Sequence, residues 1–207
     1  MPKEIKAPAS GARKAAVVLS AVAVVFSLCF GYCIRHSFWM LHDPSTFEEK
    51  VYFRWIGYSL GFLTVALLLR MCAAISELLW LERTWQNLPE DLQKVGPVDK
   101  VSSGLVIGIS FVPGIAWLWK LGLINGVTAG FEEMRKRHPF QAKVPRKLGL
   151  AAVIVGWIPM LNVYIAPFLW EMFATRMEKV IHELMASRAA REPSGAEPVA
   201  ATSSSPT

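Results

Sequence analysis

Apolar residues fall in four long, charge-poor blocks at 15–34, 51–81, 101–131 and 148–175, separated by short polar stretches. At about 1.5 Å per helical residue, each block can cover the ~30 Å hydrocarbon core of a bilayer. The pattern predicts an all-α fold, an integral membrane bundle of four apolar helices with the third and fourth kinked or broken at proline. An amphipathic extension over 176–190 follows, because Met177, Val180, Ile181, Leu184 and Met185 recur at helical spacing. Such a stripe wants a partner helix or a headgroup surface. The basic stretch 1–14 and the Pro/Ser/Ala-rich stretch 191–207 are expected to be disordered tails flanking a transmembrane domain over 15–190.

The first block carries no charge and is longer than the apolar region of a signal peptide. No small-x-small cleavage site precedes Arg35, so it is expected to be an uncleaved span. The loop read at 35–50 brings His36 and His42 near carboxylates, but in no metal-site spacing. Block two opens on Tyr52, Phe53 and Trp55 and closes on Trp80 and Trp85, the aromatic belts of a helix leaving hydrocarbon. Gly57 and Gly61 give it a small-residue face. Its interior charges, Arg70 and Glu77, are seven residues apart and so share one face of a helix.

In block three Gly104 and Gly108, then Gly122, Gly126 and Gly130, recur every fourth residue and predict close helix packing. Pro113 and Gly114 between them predict a kink or break. Block four holds Pro159 and Pro167, two further kink sites, with Asn162 and Tyr164 between them. Laying Pro113 on Pro159 aligns Phe111-Val112 with Trp157-Ile158, a faint internal repeat.

Composition agrees with a membrane chain: 53% hydrophobic, 18% charged, mean hydropathy +0.36. The net charge of +6 would suit nucleic acid, but the cations flank the apolar blocks, so anionic headgroups and the bilayer are the expected partners and nucleic acid is not. Cys29, Cys33 and Cys72 give no disulfide framework. Four full crossings, the leading expectation, would divide the loop and tail Lys/Arg eleven against nine. If blocks three and four instead dip in and return at their prolines, seventeen lie on one side and only Arg35, Lys50 and Arg54 on the other. Either arrangement expects a multi-pass cell-membrane protein with a cytoplasmic N-terminal tail.

The order Trp80-Leu81-x-Arg83, Asn87-Leu88, Gly104-x-x-x-Gly108, Phe111-x-Pro113 and Leu118-Trp119 resembles an uncharacterised four-span bacterial membrane family, a domain of unknown function. Pro159-x-x-Asn162 echoes the same style in block four. Ala116 stands where that family usually has asparagine. The resemblance implies a bacterial inner membrane and an architecture, not an activity.

No nucleophile, acid–base or metal motif is present, so an enzyme is not expected, nor a cofactor. Polar groups within the blocks are the candidates for function: Arg70, Glu77, Lys120, Asn125, Asn162 and Glu171. Arg70, about 15 Å along the helix from Trp80, is expected to face inward against Glu77 or Glu171. The first functional expectation is a structural or interaction protein assembling with itself or with a membrane partner. The alternative is a small transporter or channel subunit with Arg70, Asn125 and Asn162 lining a polar path.

Overall fold

The computed structural model describes residues 5–42, 48–112 and 114–190. Seven α-helices are found among them: α1 Ser10–His42, α2 Glu49–Gln86, α3 Ser103–Ser110, α4 Ala116–Arg137, α5 Arg146–Val155, α6 Pro159–Tyr164 and α7 Ala166–Ala189. A 3-10 turn, Glu90–Leu92, follows α2.

Helices α1 and α2 form an antiparallel hairpin. Ser20 lies beside Arg70, Phe26 beside Phe62 and His36 beside Trp55, partner numbers falling as the chain ascends. Both helices exceed the blocks that predicted them: α1 runs on to His42 through residues read as loop, and α2 reaches Gln86. The reason is local. Neither stretch holds a proline, and the polar residues at the ends are good enough helix formers to continue the ladder. Among the described residues, these two helices are long and apolar enough to cross a membrane.

The third and fourth blocks behave differently. A straight helix would hold residues 106 and 119 about 20 Å apart, yet the Trp119 indole Nε1 donates to the Val106 carbonyl at 3.3 Å. The chain therefore reverses between α3 and α4. Gly114 supports the reversal with φ +82°, a conformation that costs glycine little; Pro113 itself lies outside the described residues. Block four reverses in the same way. Gly149 of α5 lies so close to Phe173 of α7 that an added Cβ would come within 2.7 Å of the ring. Of the four apolar blocks, the third and fourth expected to be kinked or broken at proline, two form long helices and two are broken and double back. Pro159 opens α6 and Pro167 falls in the first turn of α7, where a missing N–H breaks no helical bond.

Two more expectations change. Residues 5–9, read as tail, lie against the C-terminal end of α2. Lys6 N–H donates to Asn87 Oδ1 (2.8 Å), Asn87 Nδ2 donates back to Lys6 O (3.0 Å), and Arg83 Nε reaches Ala7 O. Ile5 is buried. An amide side chain that satisfies both polar groups of one residue outweighs the tail's polar composition. The amphipathic 176–190 stretch is simply the continuation of α7, and Met177, Val180, Ile181 and Leu184 are buried in the chain's own core. The tail beyond 190 lies outside the described residues.

That core gathers at one end of the molecule. Trp80, Leu81, Trp85 and Leu88 meet Leu123, Ile124, Val127 and Phe131 of α4 and Phe173, Ala174, Met177, Val180, Ile181 and Leu184 of α7, all closed to solvent. The 87–101 link is folded into it. Gln93 Nε2 caps the Leu88 carbonyl (2.9 Å), Trp85 Nε1 donates to Val101 O (3.0 Å), and Val95 and Val98 pair their backbones across a turn that needs the positive φ of Gly96. The opposite end is apolar and exposed: Phe53, Leu60, Leu67 and Met71 on α2, Phe111 and Leu118 at one return, Trp157 and Phe168 at the other.

Candidate functional site

Where the two returns meet α2, four polar side chains converge. Arg70 and Glu77 project from one face of α2, Nη1 to Oε1 3.6 Å. The reversal after α3 brings Lys120, in the first turns of α4, to Glu77 Oε2 at 2.8 Å. The break before α6 brings Asn162 to Arg70, whose Nη2 donates to Oδ1 at 3.0 Å, while Nη1 donates to Ser20 Oγ of α1 at 2.8 Å. Only Glu77 is deeply buried, its side chain 5% exposed against 24% for Arg70 and 27% for Lys120.

Beside this cluster is a cavity of about 250 Å³ lined by Arg70, Glu77, Lys120 and Asn162 and walled by Trp117, Trp157 and Trp170. Trp117 and Trp157, one from each return, pack with ring centroids 4.3 Å apart. Lys120 Nζ lies 4.4 Å over the Trp170 ring, a cation–π contact that holds the ammonium at the cavity wall. Two cations share one carboxylate, leaving an excess positive charge facing an aromatic-walled space. The Arg70 guanidinium and Lys120 ammonium give the cavity a positive field.

The other candidates lie elsewhere. Asn125 is outside the cavity, its Oδ1 accepting from Arg146 Nη2 at 2.6 Å. A path through Arg70, Asn125 and Asn162 is therefore interrupted at Asn125. Glu171 belongs to a second cluster with Arg13 and Glu178. Arg13 Nη1 pairs with Glu171, Arg13 Nε lies 3.1 Å from Glu178, and Trp80 Nε1 donates to Glu178 Oε1 at 3.1 Å. That cluster carries the opposite excess, two carboxylates to one cation. Trp80 packs edge to face on Trp170 and Phe173 at 5.9 and 6.0 Å, those two rings are tilted at 5.5 Å, and the indoles of Trp80 and Trp170 each stand against one cluster. Arg13, Ser20, Trp170 and Glu178 were not singled out from sequence. Glu171 and Glu178 repeat the seven-residue spacing of Arg70 and Glu77, a signal that was there to read.

The glycines divide. A Cβ on Gly122, Gly126 or Gly130 would strike Val95, the Lys94 carbonyl or Leu88, so this face of α4 packs directly on the 87–95 link. Gly57, Gly61, Gly104 and Gly108 have nothing within 4 Å of that position, so the close packing expected of them is not made among the described residues. His36 stacks on Trp55 at 4.5 Å, and His42 Nδ1 is bonded to the Phe38 carbonyl.

No family model, no curated protein and no solved structure matches this chain.

Proposed function

We propose that the chain is an integral membrane protein in which α1 and α2 cross the bilayer, the two returns dip into it from the side of the buried core, and the Arg70–Lys120 cavity holds a small anionic solute, as in a transport or channel subunit. The membrane placement is supported by where apolar side chains are left exposed, along α1 and α2 and at both returns, while the core end exposes Glu90, Asp91, Lys94, Asp99 and Lys100. It also accords with the seventeen-to-three division of Lys and Arg, which favours a cytoplasmic core end and N-terminal strap. Backbone broken at depth needs cover, and here the two returns, α1 and α2 cover one another.

The anion reading rests on a single observation, two cations sharing one buried carboxylate at an aromatic-walled cavity. An arginine at mid-helix costs about 2.5–3.5 kcal/mol on insertion scales, so its placement inside the bundle calls for a reason. Reconstituted full-length protein in vesicles should pass small anions such as chloride, acetate or sulfate above the rate of empty vesicles. Arg70→Leu and Lys120→Met should each lower that flux about ten-fold or more while eluting as the wild type does in detergent. Wild-type vesicles no leakier than empty ones would dispose of the anion reading.

A second reading, an assembly protein, is favoured by the open faces at Gly57, Gly61, Gly104 and Gly108, which leave room for a second helix backbone. The 177–184 stripe gives it no help, being already buried.

A further inference from the structure

A second charged cleft lies away from the cavity, at the core end of α5. It has a volume of about 710 Å³ and is lined by Lys143, Arg146, Lys147 and Arg176 with Glu132, over a floor that includes Val144 and Leu148. A smaller hollow of about 340 Å³ adjoins it, sharing Glu132 and Lys143 and adding Arg135 and Lys136. Six cations thus face one carboxylate across the two. Arg146 is tied to Asn125 and lies 4.0 Å from Glu132, and Lys136 pairs with Glu133 at 2.7 Å. Among the described residues, Arg135, Lys143, Lys147 and Arg176 have no ion pair. Such a concentration of unneutralised charge on three converging segments asks for an anion with several acceptor oxygens.

The surface next to the cleft says what else that anion carries. Lys147 and Ile154 are seven residues apart on α5 and share a face, so the cationic mouth continues into exposed hydrocarbon about 10 Å further along the helix. On α7, Arg176 follows the fully apolar, exposed Phe168 by eight residues, about 12 Å. Half the hydrocarbon thickness of a bilayer is about 15 Å. With both returns dipped into one leaflet, the four cations of the cleft stand at the level of lipid phosphates, and the apolar faces below them stand at the level of acyl chains.

We propose that this cleft is a binding site for the phosphate headgroup of an anionic phospholipid of the cytoplasmic leaflet, with the acyl chains lying along α5 and α7. The site rests on the membrane placement above and not on the anion cavity, so the two stand or fall separately. Lys143, Lys147 and Arg176 reach the phosphate from the link, from the start of α5 and from α7, and so join the last two hairpin arms through one bound lipid.

The test uses the full-length protein in a neutral detergent, counting bound phosphatidylglycerol and phosphatidylcholine by native mass spectrometry. A triple variant, Lys143→Gln, Lys147→Gln and Arg176→Gln, is compared with a control of equal charge loss at exposed positions, Lys14→Gln, Lys94→Gln and Lys100→Gln. The expected result is a preference for phosphatidylglycerol in the wild type, lowered about ten-fold or more in the cleft variant and changed less than about two-fold in the control. Millimolar inorganic phosphate should not displace the lipid. Equal losses in both triples would reduce the cleft to diffuse attraction and overturn the proposal. Displacement by inorganic phosphate would overturn it too, reassigning the cleft to a soluble anion. Loss of lipid preference with intact anion flux would leave the cavity reading untouched.

Discussion

The two ends of this molecule are built from the same kinds of residue and treat them in opposite ways. At the core end Trp80, Trp85, Phe131 and Phe173 are fully enclosed, and the glycines of α4 are filled by the chain's own link. At the other end Phe53, Phe111, Trp157 and Phe168 lie open and the glycines of α2 and α3 face empty space. Side-chain chemistry does not account for the contrast. What differs is the cover: the chain's own residues enclose one end and, among the described residues, leave the other open, as the proposed membrane placement would require.

The contrast can be attacked most forcefully with large-to-small changes. Trp80→Ala should destabilise the detergent-solubilised protein by about 3–5 kcal/mol, since it empties an enclosed site and strips Glu178 of its indole donor. Phe168→Ala, at a side chain 67% exposed, should shift stability by no more than about 0.5 kcal/mol. Thermal unfolding of the two variants side by side checks this, and equal losses would erase the distinction between the ends.

A gentler probe adds one methyl group. Gly126→Ala should cost about 1–3 kcal/mol, because the new Cβ meets a backbone carbonyl that cannot swing aside. Gly104→Ala meets nothing and should be neutral or stabilising by up to about 0.5–1 kcal/mol through lower unfolded-state entropy. If Gly104→Ala instead lowers stability only in samples that self-associate, the open face is a contact between copies, and the assembly reading gains.

The smallest expected effect is electrostatic and confined to the core end. Arg137, 2.8 Å from Asp91, holds that exposed carboxyl below its ordinary value of 3.8. The folded form prefers the ionised acid, so the contribution is complete above the ordinary value and fades as pH falls through the lowered one. Asp91→Asn should therefore lower the melting temperature slightly at neutral pH and leave it nearly unchanged at acid pH, narrowing the gap between the two.

Much of this architecture is written in the sequence, though unevenly. The apolar blocks, the breaks at proline and the shared face of Arg70 and Glu77 follow from spacing alone. The direction of the chain after each break does not. A helical period is the same whether the next helix continues or doubles back, and the contacts that reveal the reversal, Trp119 to Val106 and Phe173 to Gly149, join residues thirteen and twenty-four positions apart. Charge asymmetry favours two returns and block length favours four crossings; the observed reversals accord with the first. Lys120 and Asn162 became neighbours of Glu77 and Arg70 only through those reversals. Arg13 was hidden differently, in a stretch whose polarity suggested a tail, because composition cannot foresee a carboxylate pair supplied from more than 150 residues away.

The reciprocal bond between Lys6 and Asn87 spans 81 positions of chain, and this separation has a temporal meaning. Lys6 leaves the ribosome long before its partner exists, and α1 and α2 must both be made before the clasp can close. The amino-terminal strap is thus a latch on the first hairpin, and its reciprocal bond needs neither α4 nor α7.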